Sequence, residues 1–363
     1  MRAVPDVVAF GTYDPVKNPR IAVLVEGLRA HGFVVEERFV PVGFDSKMRT
    51  RMLRRPWLLV LFVLRLIACW TKLWRSSRDL KSAPVVVVGW MGYLDVHLAK
   101  RRFKRATIVL DHLTSLVSTS GDRDAGDGSI RRMLARIDDG ALRVSDVICV
   151  DTDEHLADVP QAFRAKALTV AVGAGDEWFR APRRSEDDRL RVIFFGQYTP
   201  LQGGPVLGAA LASADVDVTM IGDGQELETT RLAASAASRA RWITWLTEPE
   251  LRSALAAHDV CLGIFGATPK ALAVVPNKVY QGAASGLAIV TSDTPPQRRA
   301  LGDAAVFVPP GDASAIADAL TSLANDPARV WALRVAASRR AEESFRPRAV
   351  VEPLAQLLRV RVS

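Results

Sequence analysis

The stretch Gly263–Asp293 (GIFGATPKALAVVPNKVYQGAASGLAIVTSD) decides the fold, because it joins two apolar strands through a polar loop and a helix. The first strand ends in the loop ATPKALAV, a helix is predicted from Pro276, and LAIVTSD is the second strand. Lys270, Asn277 and Lys278 lie in the loop and the first helical turn, and the free N–H groups of a helix N-terminus attract anions. The stretch predicts a binding site for an anionic diphosphate. An ordinary strand–helix–strand unit with solvated lysines is the alternative.

Composition favours a two-domain protein with an anionic partner. The chain has 363 residues, of which 49% are hydrophobic and 24% charged, which excludes a disordered chain. Its net charge of +8 suits nucleic acid, acidic lipid or phosphorylated small molecules. Cys69, Cys149 and Cys261 show neither metal nor disulfide spacing, so we expect buried thiols in a reducing compartment. The N-terminus runs directly into a strand, so we expect no signal peptide.

Apolar strands alternate with helices in two blocks, which predicts an α/β protein with two doubly wound parallel sheets. The first block, residues 1–179, precedes a polar linker at 180–189 (RAPRRSEDDR), and the second block is 190–345. A final helix within 346–363 could pack back on the first domain. Ligands of open α/β sheets bind beyond the carboxyl ends of the strands, so we expect the site in a cleft between the domains.

A basic and aromatic segment at 48–78 fits neither domain as ordinary core. Its unbroken apolar run, Trp57 to Leu64, is shorter than the roughly 20 residues that span a bilayer, and Arg65 interrupts it. Arginine alternating with Trp and Leu favours a helix that lies in the surface of an anionic membrane. A crossover helix with a solvated basic edge is the alternative. The residues expected to contact the membrane are Arg51, Arg54, Arg55, Trp57, Trp70 and Trp74.

Two further loops of the second domain carry glycines suited to phosphate binding. FFGQYTPLQGG and MIGDG each follow a strand, and glycine permits the tight turns that point backbone amides at phosphate oxygens. The residues assigned to donor binding in these loops are Gly196, Gln197, Gln202, Gly203, Gly222 and Gly224. Neither loop is the G-x-G-x-x-G fingerprint, which disfavours a nicotinamide enzyme.

Three such loops in this order resemble the donor half of the retaining GT-B glycosyltransferases of the glycogen-synthase-like superfamily (glycosyltransferase group 1, family 4). There a GR–x4–KG loop precedes a GxG strand end, and a later strand leads to E-x7-E on the helix P-x-K-x-x-E-x-x-A-x-G. The matching text is FFGQYTPLQGG, MIGDG and VVPNKVYQGAASGLAIVTSD, preceded by GAGDEWF, which is similar to G-V-D-x-x-x-F. In the first domain the resemblance rests on topology, Gly11 and His112.

The resemblance implies transfer of a sugar from a nucleotide-sugar to an acceptor, with retention and without a metal or resident cofactor. It implies that Gly11, Lys270, Asn277, Lys278 and Gln281 also bind the donor. We therefore expect two Rossmann-like domains that face each other across a cleft, with the donor on the second and the acceptor on the first.

His112 is the candidate beside the transferred sugar or the acceptor, by the same resemblance. Asp111, which precedes it at the end of a strand, could orient it or act as a base, whereas a structural histidine is the alternative. The loop 118–129 could shape an acceptor site. Weaker candidates are Asp14 and Asn18, together with Asp95 and His97, which could equally be a helix cap and a surface residue.

The four charged positions of the family pattern are neutral in this chain. The phosphate-binding Arg and Lys fall on Gln197 and Gln202, and the two Glu of E-x7-E fall on Ala273 and Gln281. In the family the two cations stabilise charge on the departing diphosphate. Either Lys270 takes over the diphosphate while Gln281 holds a ribose hydroxyl, or the chain has lost or changed the reaction.

These observations lead to the hypothesis of a cytoplasmic glycosyltransferase, peripheral on the inner face of the cell membrane. Its acceptor would be a lipid-linked sugar or a glycolipid, and its partners the nucleotide-sugar and an anionic membrane surface. One alternative is a pseudo-glycosyltransferase or accessory subunit, which the four neutral positions favour. The other, a nucleic-acid binder, is suggested only by the charge and lacks a binding motif, so we expect no nucleic-acid partner.

Overall fold

The computed structural model describes residues 4–15, 18–43, 56–113, 115–117, 128–184 and 189–362. The chain divides into two compact units, Met1–Ala171 with Pro347–Ser363, and Val172–Arg346. The expected linker at 180–189 therefore begins inside the second unit. The N–H of Arg180 donates to the Ala284 carbonyl, 2.9 Å away, which ties this segment to a helix of that unit.

The first unit is built on a parallel sheet whose strands alternate with helices. Its strands are β1 (Val7–Gly11), β2 (Val35–Phe39), β3 (Val85–Val88), β4 (Thr107–Asp111), β5 (Val147–Val150) and β6 (Ala167–Thr169). Its helices up to this point are α1 (Pro19–Ala30), α2 (Pro56–Ser76), α3 (Asp95–Arg102), α4 (Gly128–Val144), α5 (Asp153–Asp158) and α6 (Gln161–Arg164). The strand order is β2-β1-β3-β4-β5-β6, so the order reverses between β1 and β3.

The second unit repeats this architecture. Its strands are β7 (Arg191–Phe195), β8 (Asp217–Ile221), β9 (Ala240–Ile243), β10 (Val260–Leu262), β11 (Ala288–Ser292) and β12 (Ala305–Val308). Its helices are α7 (Gly204–Ser213), α8 (Leu227–Ala233), α9 (Glu248–Ala256), α10 (Pro269–Leu272), α11 (Asn277–Ala284), α12 (Pro295–Leu301), α13 (Ala313–Ala324) and α14 (Pro327–Ser344). The parallel order β12-β11-β10-β7-β8-β9 reverses between β7 and β10, where doubly wound sheets bind ligands.

The last helix, α15 (Pro347–Val362), belongs to the first unit. Val351, Leu354 and Leu358 enter the same apolar core as α1. The two helices approach so closely at Gly27 that a Cβ there would lie 2.4 Å from the Val351 side chain. The absence of a side chain at this glycine is what allows the contact.

The complete burial of the central strands agrees with their apolar composition. VVVV in β3 and AIVTS in β11 are buried at every residue, because helices cover both faces of a parallel sheet. All three cysteines are buried free thiols, as the sequence predicted. The prediction of two doubly wound parallel α/β sheets is confirmed.

Helix boundaries differ from the sequence prediction at three places. The helix expected from Pro276 starts at Asn277, because Pro276 has an extended ψ of 153° and precedes the first turn. The loop ATPKALAV contains the one-turn helix α10, in which the Thr268 hydroxyl accepts from the Ala271 N–H. Helix α12 was not predicted at all; its two prolines occupy the first positions, where they suit a helix.

Candidate functional site

The loops after β7 and β8 lie against each other and need glycine to do so. A Cβ at Gly222 would lie 1.9 Å from the Gly196 carbonyl oxygen, and Gly222 has φ 133°. The N–H of Tyr198 donates to the Asp223 carbonyl at 3.0 Å. The predicted glycine loops therefore come together at the carboxyl edge of the sheet.

The loop after β7 also meets the loop after β10, at the point where the strand order reverses. The N–H of Phe265 donates to the Gln202 carbonyl at 3.0 Å. Gly203 has φ 67°, and a Cβ on it would lie 2.5 Å from the Gly266 nitrogen. Only glycine fits this left-handed, crowded position without strain, so backbone packing explains the glycine that opens α7.

Lys278 lies beneath these loops with its ammonium group inside the unit. It is 4% exposed, although it occupies the first turn of α11. Its Nζ donates to Oε1 of Gln202 at 2.5 Å and lies 3.5 Å from the centroid of the Phe194 ring. It is also 3.4 Å from the position that a Cβ on Gly196 would occupy. The buried Lys278 side chain therefore contacts the loop after β7 at two points, Gly196 and Gln202.

Burial lowers the pKa of Lys278 to about 7. Cys261 is the titratable neighbour that opposes this shift, and no carboxylate of the described residues takes part. A buried ammonium without a counter-charge destabilises a fold, and a strongly lowered lysine pKa among ligand-binding loops marks a candidate functional site. The electrostatics favour a negatively charged ligand at this edge.

The other predicted donor residues lie around Lys278 in different degrees of exposure. Lys270 is half-buried on α10, Asn277 is exposed at the start of α11, and Gln281 is buried one turn after Lys278. Gln197 is exposed beside Gly196. Lys278 rather than Lys270 is therefore the cation that lies against Gln202, a pairing that the sequence analysis did not foresee.

In the first unit, the loop at Gly11 is held by Asp95. The Thr12 N–H and hydroxyl donate to one oxygen of Asp95 at 2.7 and 2.8 Å, and the Trp70 indole N–H donates to the other at 2.7 Å. Burial raises the pKa of Asp95, and these hydrogen bonds oppose the rise. Asp95 is thus a buried anchor of the loop rather than an exposed cap, and Trp70 points into the unit rather than toward a membrane.

Asp111 has a partner that the sequence analysis did not consider. The Arg20 Nε donates to it at 3.0 Å, and both side chains are buried. Its carboxylate is therefore engaged by a guanidinium rather than by His112. This corrects the expectation that Asp111 orients the histidine; the contact joins α1 to β4, and a role of Asp111 as a base stays a prediction.

His112 is buried at the end of β4. Burial lowers its pKa to about 4, so the imidazole is neutral at physiological pH. Its backbone N–H donates to the Cys149 carbonyl at 2.7 Å, and its ring meets the Tyr93 ring edge to face at 5.6 Å. Nε2 has no hydrogen-bond partner within the part of the chain that the structure describes. A catalytic role for His112 remains a hypothesis.

His112 borders a cavity of about 390 Å³ between α4 and α5. Two groups that the sequence analysis missed lie there. Asp138 accepts the N–H groups of Leu116 and Val117 at 3.1 and 3.3 Å, and burial raises its pKa to about 6. His155 pairs with Asp151 at 2.5 Å. Asp138 lies on α4 and His155 on α5, so no short sequence motif joins them.

The remaining candidates occupy ordinary structural positions or lie outside the described residues. The Asn18 amide donates to the Asp14 carbonyl at 2.7 Å, and His97 is half-buried on α3. The acceptor loop 118–129 lies outside the described residues except for its last two positions. Among the residues described, no group of three or more His, Cys, Asp or Glu side chains is placed to hold a metal ion.

The helix α2 presents an apolar surface to solvent. It packs on the unit through Leu58, Leu66, Cys69 and Leu73, which are buried. Its exposed apolar side chains are Trp57, Leu59, Val60, Leu61, Val63, Leu64 and Ile67. Over Trp57–Ser76 the helix is long and apolar enough, by length and composition, to cross a membrane, with a mean hydropathy of 1.7.

The predicted membrane-contacting residues differ in how far they are exposed, and some lie outside the described residues. Trp57 is 59% exposed, and Trp74 is 38% exposed with the Arg102 guanidinium 4.8 Å from its ring. Arg51, Arg54 and Arg55 lie outside the described residues.

Two parallel α/β units of this kind define the class of GT-B proteins, and solved structures agree. Sucrose-phosphate synthase from Thermosynechococcus elongatus superposes with a TM-score of 0.74 at 14% identity, over 99% of each chain. Anabaena HepE in complex with UDP-glucose superposes with a TM-score of 0.69 at 13% identity, over 98% of this chain and 99% of that one. At such identities the likeness shows the fold.

Sequence comparisons find a glycosyltransferase match in the second unit. Residues 189–326 match the family model of glycosyl transferases group 1. The phosphatidyl-myo-inositol mannosyltransferase of Mycolicibacterium smegmatis is 33% identical over 144 residues, or 37% of this chain and 36% of that protein. The chain spans only about a third of that relative's length in this match. Residues 189–326 therefore resemble the glycosyl transferases of group 1, which confirms for this part of the chain the resemblance seen in the sequence.

Proposed function

We propose that the chain is a glycosyltransferase that moves a sugar from a nucleotide-sugar to an acceptor, with the donor on the second unit. The observation that carries the proposal is the buried ammonium of Lys278 beneath the glycine loops, at the reversal of strand order. A diphosphate there would meet backbone amides at the start of α7 and a positive charge below them. Both would stabilise the departing nucleoside diphosphate.

The comparisons support a nucleotide-sugar as the donor. The HepE structure contains UDP-glucose, and the M. smegmatis relative is named as a mannosyltransferase. UDP- and GDP-sugars are therefore the first donors to test. Retention of the anomeric configuration, and transfer without a metal or resident cofactor, are part of the proposal and rest on the family resemblance alone.

We further propose that the protein binds the inner face of a membrane, where its acceptor lies. The exposed apolar side chains of α2 share that helix with Arg65, Lys72 and Arg75. A helix of this composition can bury its apolar side in lipid while its cations meet anionic headgroups. Because Leu58, Leu66 and Leu73 pack on the unit, one side of α2 is not available to lipid, which favours a helix lying on the membrane over one crossing it. We propose a lipid-linked sugar or a glycolipid as the acceptor.

A pseudo-glycosyltransferase or accessory subunit is the second candidate. It is favoured by the neutral side chains at Gln197, Gln202, Ala273 and Gln281, where the family pattern has charged ones. Turnover of any nucleotide-sugar with release of its nucleotide would exclude it. The buried lysine favours the active enzyme, because a protein that no longer binds an anion gains stability by losing such a charge.

A thermal-shift screen of UDP, GDP, ADP and dTDP, with their common sugar conjugates, tests donor binding. A ligand present at about 100 times its Kd stabilises the folded state by roughly 2.7 kcal/mol, which such a screen detects. We expect a shift with one base, reduced in Lys278→Met and less affected in Lys270→Ala. If no nucleotide raises the melting temperature of the wild-type protein, the pseudo-enzyme is the better description.

A further inference from the structure

We propose that Gln202 and Lys278 act as one unit in binding the donor diphosphate. The side-chain amide N–H groups of Gln202 contact the phosphate, and Lys278 behind them fixes the amide and supplies the charge. This inference rests on the proposed function and assigns a division of labour within that site. It explains how a neutral residue can stand at a position where the family pattern has a lysine.

The orientation of the Gln202 amide follows from its partner. The Lys278 nitrogen donates to the amide oxygen of Gln202 at 2.5 Å, which is the orientation that a protonated lysine requires. The amide nitrogen, which carries two donors, then points away from the buried lysine. Gln202 is itself half-buried, whereas Lys278 is only 4% exposed, so the N–H groups lie on the solvent side of the pair.

The position of the pair is fixed by the backbone on both sides. The Gln202 carbonyl accepts the Phe265 N–H at 3.0 Å, and the next residue is the crowded, left-handed Gly203. Helix α7 begins immediately afterwards, so its first free N–H groups and the Gln202 amide belong to the same loop. An anion at this helix N-terminus would meet both sets of donors.

Within the described residues, no acidic side chain neutralises the Lys278 charge behind the amide. The ammonium lies over the Phe194 ring, and no carboxylate of the described chain acts on it. A hydrogen bond from a cation polarises the amide and strengthens the bonds that its N–H groups donate. Because burial lowers the pKa of Lys278 to about 7, binding of an anion should also draw a proton onto the lysine.

Calorimetric titration with inorganic pyrophosphate, which carries no base, and with UDP and GDP tests the pair. Gln202→Glu puts a carboxylate where we expect phosphate, and Lys278→Met removes the charge and the orienting bond. We expect each to weaken binding at least tenfold.

The exchange variant, Gln202→Lys with Lys278→Gln, places the ammonium on the loop and should restore binding to within about threefold of wild type. Gln161→Glu, at an exposed position of the first unit, is the control for the change of charge.

Proton uptake is a second readout that a merely structural lysine would not give. At pH 8, where the phosphates of UDP and GDP are fully ionised, titrations of these nucleotides in two buffers of different ionisation enthalpy should show wild type taking up close to one proton on binding, and Lys278→Met none. If ligands bind wild type and both single variants with equal affinity, the pair is not the binding unit, although the proposed function stands. If the exchange variant folds and binds no better than Lys278→Met, the division of labour is wrong. If neither pyrophosphate nor any nucleotide binds wild type, the proposed function itself fails.

Discussion

At the scale of single residues, Lys278 and Arg20 show two ways in which this chain buries a cation. Arg20 lies against Asp111, so its charge is neutralised within the protein. Lys278 has a glutamine and an aromatic ring instead. The first arrangement neutralises the charge, whereas the second leaves Lys278 without a carboxylate partner among the described residues, with a pKa lowered to about 7.

The Lys278→Met variant should be more stable than wild type at neutral pH. The folded-state pKa of about 7 lies below the ordinary value of a lysine, so between about pH 7 and 10 the unfolded chain binds the proton that the folded chain lacks. The stability of wild type relative to the variant should therefore rise with pH, by about 1.4 kcal/mol per pH unit across this window. Urea unfolding of both proteins at pH 7 and pH 9.5 measures this. A difference that does not change with pH would mean that Lys278 titrates normally in the folded state.

The Asp111→Asn variant should lose stability through Arg20. Removal of one partner of a buried ion pair leaves the other charge uncompensated and costs about 3–5 kcal/mol. The double variant Asp111→Leu with Arg20→Met should recover most of this loss, because well-packed apolar residues often replace a buried pair without penalty. Urea unfolding gives the stabilities and nucleotide release gives the activities. If the stable double variant has no activity, Asp111 acts in the reaction as well as in packing.

At the scale of helices and strands, the sequence predicted best those features that depend on one element alone. Unbroken apolar runs such as VVVV predicted β3, and glycines predicted the strand-end loops, because close backbone approach at Gly203 and Gly222 excludes a side chain. Pairings between distant elements could not be predicted. Lys278 meets Gln202 from 76 positions away, and Arg20 meets Asp111 from 91. Such contacts depend on which face of a helix packs on the sheet, and the pattern of one helix does not show its partner.

The helix α2 should provide the membrane contact. Leu61→Glu with Leu64→Glu changes two exposed side chains, 47% and 60% accessible, without touching the buried side of the helix. The variant should bind vesicles of phosphatidylglycerol and phosphatidylcholine at least tenfold more weakly than wild type, because charged groups replace apolar ones at the lipid contact. Flotation of vesicles at low salt measures this. Leu232→Glu, which changes a side chain 76% exposed in the second unit, is the control and should bind like wild type.

Two outcomes would contradict the membrane contact. Equal binding of the α2 variant and wild type would show that lipid does not meet this face. A wild-type dimer in the absence of vesicles, converted to a monomer by the same substitutions, would show that a second copy of the chain covers it.

At the scale of the whole molecule, two similar sheets carry different side chains at their carboxyl edges. In the second unit the glycine loops and a buried cation lie where the strand order reverses, which is where such sheets bind ligands. In the first unit the corresponding loop at Gly11 is held by Asp95, and the carboxyl edge carries a neutral histidine beside a cavity. A buried lysine therefore lies at the carboxyl edge of the second sheet, whereas the cavity at the first is lined by His112 and acidic side chains such as Asp138 and Asp158.

The central claim is that the chain transfers sugar from a nucleotide-sugar, and nucleotide release tests it most directly. Purified wild type and Lys278→Met would be incubated with UDP- and GDP-sugars and a membrane lipid extract, and the free nucleoside diphosphate measured over time. We predict release with one donor, dependent on the extract and at least tenfold slower in the variant, because the variant lacks the charge beneath the diphosphate. No release from any donor, or equal release by both proteins, would contradict the account.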